Sequence, residues 1–304
     1  MSIIYRPAKP DDLPQVVAIR ALASSEVRAK YGFGVQKKPE VFSPDSFYAF
    51  AIDKEPGGFW IAEEDDEIVG MAIRWVRDSF WFLSYLFVAP HYQERKVGHR
   101  LLEIVLHEGI PSAVNNRGVI TYAYNTASIG LYMIHGMYAR ESLYRMTGRS
   151  TLIKPHGRAE HPLDYEKLGP SPEAVSQLTS IDAQTLGFSR HLHHEYLLQR
   201  QDGTCYAFKE GRSIVAYGYV WSDGQVGPFG TLSPSVFPRA LQATFSLAAS
   251  TEAKEVSILV PGSNDLAMRI ALSYRFRVRE PYILMSSKPF GDWQRYLFHS
   301  PPLL

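Results

Sequence analysis

Apolar positions along the chain follow two periods, and the two alternate. Ile3 to Arg6 is a short alternating run, which predicts a first strand. Pro10-Asp11-Asp12 then opens a helix, with acidic residues in its first turn and Leu13, Val16, Val17, Ile19 and Leu22 on one face. Residues 23 to 42 have little periodicity. Ser43-Pro44 starts a short helix to about Ile52. Phe59 to Glu63, Ile68 to Val76 and Ser79 to Val88 read as three strands, the first two joined by the acidic turn Glu64-Asp65-Asp66-Glu67. Ala89-Pro90 ends the third, because proline cannot donate to a ladder. From Val97 the spacing becomes helical, through Leu101, Leu102, Val105 and Leu106. Gly118 to Tyr124 is a fifth strand, and Asn125 caps a helix that Gly136 ends.

The pattern then breaks. Residues 148 to 170 are rich in proline, glycine and charge, which predicts a domain boundary between residues 150 and 160. Beyond it, helices are predicted over Glu173–Leu186, Ser189–Gln201, Pro234–Ala249 and Asn264–Tyr274. Strands are predicted over Thr204–Lys209, Ser213–Trp221, Val226–Thr231, Val256–Val260 and Phe276–Ser286, the last closing the second sheet. The second half repeats the first weakly. One constant offset aligns Asn125 with Asn264, Ser128 with Ala267 and Met137 with Phe276. It also sets Ala271 opposite Tyr132 and Arg275 opposite Gly136. A repeat of this size is a duplicated domain.

One stretch carries chemistry. A strand ending at Val88, a polar turn and a helix N-terminus near Val97 together make an anion site, because the first N–H groups of a helix lack internal partners and the dipole favours negative charge. Gly98 lets a ligand approach the first turn. Arg95, Lys96, His99 and Arg100 add positive charge there. The stretch reads as a pyrophosphate cradle.

Composition limits the partners. The 304 residues are 45% hydrophobic and 21% charged, with a net charge of +1, so neither a nucleic-acid nor a membrane surface is expected. The one cysteine, Cys205, excludes an internal disulfide and reads as a buried apolar residue. The N-terminus lacks a signal-peptide layout and no apolar run is long enough to span a bilayer, so a cytoplasmic location is expected. His191, His193 and His194 cluster without a carboxylate or cysteine at metal spacing, and no metal is expected.

The stretch Gln93-Glu94-Arg95-Lys96-Val97-Gly98 resembles the acetyl-CoA loop Q/R-x-x-G-x-G/A of the GNAT acetyltransferase superfamily, with Lys96 where the family usually has its first glycine. A lysine there resists a positive φ. Asn125 to Met137 resembles the second GNAT signature, N-x-x-A/S-x-x-x-Y-x-x-x-G-F, with Asn125, Ser128, Tyr132 and Gly136 in register. The resemblance implies an α+β fold of two tandem GNAT domains, each a mixed, mostly antiparallel sheet flanked by helices. Residues 1–150 would hold the acetyl-CoA site, and residues 160–304 a degenerate copy without the loop.

It further implies acetyl-CoA as the acyl donor, held by Gln93, Glu94, Arg95, Lys96, Val97, Gly98 and His99. Backbone groups of Phe87 and Val88 and the side chain of Asn125 would meet the pantetheine arm, and Tyr132 would protonate the departing thiolate. The acceptor would be a primary amine of a small molecule or peptide, and the protein a monomer or homodimer. A general base is not evident. Ser84 stands where many members have a glutamate, and Glu63, Glu64, Tyr85 or a water chain are the alternatives. Tyr31, Phe33, Phe80, Trp81 and Tyr122 are candidate acceptor-wall residues. The rival expectation is a non-catalytic acyl-CoA-binding or regulatory module.

Overall fold

The structure is a computed structural model that describes residues 2–34, 46–153 and 163–304. The chain forms two compact units, residues 1–119 with 124–138, and residues 120–123 with 139–304.

The first unit begins with β1 (Ile4–Pro7), a single 3-10 turn and α1 (Leu13–Lys30), followed by α2 (Phe47–Lys54). Helix α1 is longer than its apolar periodicity. Leu13, Val16, Val17, Ile19 and Ala23 are buried, and residues 25 to 30 extend it as a polar, largely solvent-facing end. The predicted cap Ser43-Pro44 of α2 lies outside the described residues. Strands β2 (Phe59–Glu64), β3 (Glu67–Arg77), β4 (Phe80–Val88) and β5 (Asn116–Tyr122) complete the order β1-β2-β3-β4-β5. All neighbours are antiparallel except β4 and β5. Helix α3 (Val97–His107) connects that parallel pair, and α4 (Thr126–Ile134) follows β5.

Helix α3 packs closely on β3 because Gly70 leaves room for it. A Cβ there would stand 3.1 Å from Leu101 Cδ1 and 3.2 Å from Val97 Cγ1. Val97, Leu101, Leu102 and Val105 are fully buried on that face, each worth about 1.5–3 kcal/mol of burial. Trp81, also fully buried, donates its indole N–H to the Val105 carbonyl at 2.9 Å and ties α3 to β4.

The second unit contains β6 (Tyr138–Arg149) from residue 139 on, β7 (Asp164–Leu168), α5 (Pro172–Leu186), α6 (His191–Gln199), β8 (Gly203–Glu210), β9 (Ser213–Trp221) and β10 (Val226–Thr231). It continues with α7 (Phe237–Ala249), β11 (Glu255–Pro261), α8 (Asp265–Ser273), β12 (Arg277–Ser286) and β13 (Tyr296–Leu297). From β7 to β12 the elements repeat the order found from β1 to β6.

Two sheets divide these strands. One is β13-β10-β9-β8-β7. The other has the end of β5, then β12, β6 and β11, with β6 antiparallel to β11 through Met146↔Ile258 and Leu143↔Pro261. The terminal strand of the first repeat therefore pairs with the second repeat's β11. The expected closing role of Phe276–Ser286 is corrected accordingly. Strand β12 lies between β5 and β6, and β13 ends the other sheet. Strands β7 and β13 escaped sequence reading: β7 follows the proline-rich stretch, and β13 is two residues long.

Candidate active site

The parallel pair β4–β5 opens like a fork. Pairing runs from Phe80↔Asn116 to Leu83↔Val119, whereas β4 continues to Val88 against β3 alone. Residues 120–123 belong to the second unit. Beyond Leu83 the ladder with β3 shifts register. Ile73 pairs with Tyr85 and Arg74 with Leu83, so Ser84 is a bulge. The bulge turns Tyr85 onto the face of α1 and α2, where it stacks 5.5 Å from Tyr48 and lies under Arg20 at 5.3 Å.

Hydrogen-bond alternation decides which backbone groups face the fork. The Ala89 N–H donates to the Val69 carbonyl at 2.8 Å, so Ala89 and Val69 form a bonded pair and Val88 and Gly70 a non-bonded one. The N–H and C=O of Val88 therefore point away from β3, along the edge of β4 that pairs with β5 only as far as Leu83. Gln93 Nε2 reaches that carbonyl at 3.4 Å. Phe87 turns its own N–H and C=O to β3, so of the two strand positions it is Val88 that faces the fork.

At the mouth stands the start of α3. Glu94 and Lys96 both adopt left-handed backbone, at φ 65° and 63°. Lys96 takes in this structure the conformation that its side chain disfavours, as N-cap of α3 at ψ 10°. Left-handed positions in a turn of this kind favour a nest, a concavity of backbone N–H groups that suits an anion. No side chain caps α3. Gly98 lies over the end of β4, where a Cβ would stand 3.4 Å from Val88 Cγ2. A longer side chain at 98 would fill the cradle.

The donor set thus fits a pyrophosphate: an uncapped first turn at Val97, Gly98 and His99, a nest before it, and cationic residues around it. Arg95 is drawn aside, to Glu64 at 3.2 Å and over the Tyr92 ring at 4.5 Å. Arg100 pairs with Glu103 at 3.3 Å.

Helix α4 carries the second group. The Asn125 Oδ1 accepts from the Ser128 N–H at 3.3 Å, and its Nδ2 donates to Ser128 Oγ at 2.8 Å. Tyr132 is 4% exposed and hydrogen-bonds the Ser128 side chain. Burial pushes its phenol well above the usual tyrosine range. Gly136 ends the helix at φ 77°. Helices α3 and α4 meet at His99 and His135, whose rings lie 5.2 Å apart. Burial and the neighbouring His99 lower the His135 pKa.

The two carboxylate alternatives for the base are occupied. Glu63 pairs with Arg6 at 2.6 Å, and Glu64 accepts from the Tyr92 hydroxyl at 2.6 Å as well as from Arg95. Of the wall candidates, Phe80 and Trp81 are core. Phe33 stacks on Tyr124 at 4.4 Å and Tyr31 lies 5.2 Å from the same ring. Tyr122 belongs to the second unit, beside Tyr282.

The second repeat keeps the frame and fills the fork. Its strands β10 and β11 touch in parallel fashion at Gln225↔Ser257. The C-terminal segment then enters between them, with Leu297 paired to Phe229 and Phe298 to Leu259. Tyr296, Leu297 and Phe298 are all fully buried. Asn264 caps α8 as Asn125 caps α4, accepting from the Ala267 N–H at 2.9 Å, but its Nδ2 is bonded to the Trp293 carbonyl at 2.8 Å. Arg275 holds Gly136's left-handed position at φ 61°.

The model of the Acetyltransferase (GNAT) family matches residues 22–137. Over that span the chain is similar to GNAT domains. That span contains the fork, the nest and both helices α3 and α4. GNAT acetyltransferases use acetyl-CoA as acyl donor, and the cradle's donor set suits its pyrophosphate.

The whole chain also has the GNAT fold in tandem. A protein of Pyrococcus horikoshii assigned as an acetyltransferase superimposes with a TM-score of 0.74 at 21% identity, over 99% of this chain and 95% of that one. A GCN5-related N-acetyltransferase from Sphaerobacter thermophilus gives 0.62 at 16% identity, over 96% and 98%. One from Kribbella flavida gives 0.59 at 19%, over 93% and 70%. No curated protein matches the chain. No described helix is long and apolar enough to cross a membrane.

Proposed function

We propose that the protein is an acetyl-CoA-dependent N-acetyltransferase that acylates a primary amine of a small molecule or peptide. In this reading residues 1–150 carry the chemistry, and residues 160–304 are a degenerate copy that has kept the fold. The observation that supports it is the open fork beside Val88, ending at an uncapped α3 and an anion nest.

Acetyl-CoA supplies an acetyl group activated as a thioester. The first turn of α3 and the nest at Gln93–Lys96 bind its pyrophosphate through N–H groups. The Val88 N–H donates to the oxygen of the reacting carbonyl and stabilises negative charge there. A neutral amine attacks, its C–N bond forms, and the C–S bond breaks. The amine loses one proton to water, since Glu63 and Glu64 are held in other bonds. Tyr132 gives the departing sulfur a proton, its raised pKa keeps that proton available at neutral pH, and the phenolate then regains from water the proton the amine released. Asn125 orients Ser128, which in turn bonds the phenol.

A non-catalytic acyl-CoA-binding module is the second reading. It is favoured by the bulged Ser84 and by the absence of an uncommitted carboxylate at the sequence-expected positions. A thiol-release assay with acetyl-CoA over a broad panel of amines separates the two. Turnover that drops in Tyr132→Phe supports the enzyme; tight CoA binding with no thiol release from any amine supports the binding module.

A further inference from the structure

We propose a transition-metal site, suited to Zn2+, between α3 and α4, with His99 and His135 as its two protein ligands. The two imidazoles face each other through His99 Nδ1 and His135 Nε2, 3.5 Å apart. That is long for a hydrogen bond between nitrogens, which prefers about 2.7–3.2 Å. It suits two ligands of one ion. Nitrogen–zinc bonds are about 2.0–2.1 Å, so nitrogens at this separation subtend about 115° at the metal, near the tetrahedral value.

Glu103 sets the chemistry of the pair. Its Oε1 lies 3.2 Å from His99 Nε2, one helical turn along α3, and its Oε2 lies 3.3 Å from Arg100. A carboxylate at Nε2 holds the proton on that nitrogen and leaves the Nδ1 lone pair directed at His135. This carboxylate–histidine arrangement orients and strengthens a metal ligand. When His135 also leaves its Nε2 unprotonated, two lone pairs meet, and a cation between them relieves the repulsion that the other His135 tautomer relieves with an N–H···N bond. The His99 side chain is 41% exposed, so water can enter and complete the coordination. No group of three or more candidate ligands gathers among the described residues, which leaves the remaining positions to water.

The site would join the helix that follows the cofactor loop to the helix that carries Tyr132. It stands apart from the acetyltransferase reading, because it is tested by metal binding alone. The experiment is calorimetric titration of ZnCl2 into the intact, tag-free, metal-stripped protein at pH 7.5, with thermal melting in parallel. One zinc per chain is expected, with a melting temperature that rises with zinc concentration. His135→Gln should weaken binding tenfold or more while melting like wild type without metal. Glu103→Gln keeps both ligands and should weaken it about 10–100-fold. Absence of saturable binding overturns the proposal, and so does binding of equal strength in His135→Gln.

Discussion

Leu297 pairs with Phe229 on the strand of the second repeat that corresponds to β4, and this pair stands where the first repeat leaves its strand edge open. Phe298, the next residue, bonds Leu259 through its N–H at 3.2 Å. The chain's own C-terminal segment thus occupies the fork that would take a pantetheine arm. The expected result is one acetyl-CoA per intact chain, read by native mass spectrometry at saturating ligand. Two per chain would contradict the division of labour between the repeats.

Tyr132 is the acid in the account, and its environment has a kinetic signature. Tyr132→Phe should lower kcat by about 10²-fold or more and leave KM for acetyl-CoA nearly unchanged. Burial raises the phenol pKa, so the group keeps its proton above the pH at which a free tyrosine ionises. The wild-type kcat should therefore show no alkaline fall between pH 9 and pH 10.5. A fall centred near pH 10 would mean that Tyr132 titrates as an ordinary exposed phenol.

Lys96 holds a left-handed conformation at φ 63°, which costs a non-glycine residue about 1 kcal/mol. Lys96→Gly should leave the loop shape intact and stabilise the protein by up to about 1 kcal/mol in urea denaturation. It should also weaken acetyl-CoA binding modestly and reduce its salt dependence, because one cation leaves the nest. Destabilisation would mean that the lysine side chain contributes contacts that outweigh its strain.

In the second repeat, Asp182 accepts from Arg190 at 2.7 Å, from His194 at 2.8 Å and from Tyr217. All four side chains are fully buried. Although burial works against the charge, Arg190 and His194 bring the Asp182 carboxyl down to about 2. A carboxyl lowered on folding stabilises above its unfolded pKa, near 4, and loses that contribution as pH falls towards 2. Burial also lowers the His194 pKa, so its share begins to be lost earlier, below about 6.5. Stability should therefore drop on acidification, first gently from pH 6.5 and then steeply below pH 4. Asp182→Ala, which leaves Arg190 buried without its carboxylate, should cost about 3–5 kcal/mol by chemical denaturation.

Much of this was legible in the residues. The run from Tyr85 to Leu102 announces a strand, a turn and a helix, and the offset linking Asn125 to Asn264 announces a repeat. Both asparagines cap their helices with nearly equal geometry, at φ −83° and −86°. What the sequence hid depends on partners distant along the chain. No local pattern says that β6 pairs with β11, or that a two-residue strand fills the second fork. The bulge at Ser84 is invisible too, because register shifts leave no mark on a strand's composition. The histidine cluster looked as if it lacked a carboxylate, yet the fold brings Asp182 to His194 from α5. Lys96 looked unfit for a glycine's place, and the structure accepts the strain at that position.

Titration of acetyl-CoA into the intact protein, repeated with Gly98→Glu, tests the central claim most directly. A Cβ at 98 already stands 3.4 Å from Val88 Cγ2, so a glutamate would bring bulk and negative charge into the nest. The account predicts micromolar binding with one site per chain, lost in the variant while its melting temperature stays near that of wild type. Undetectable binding to wild type, or unchanged binding to a folded Gly98→Glu protein, would contradict it.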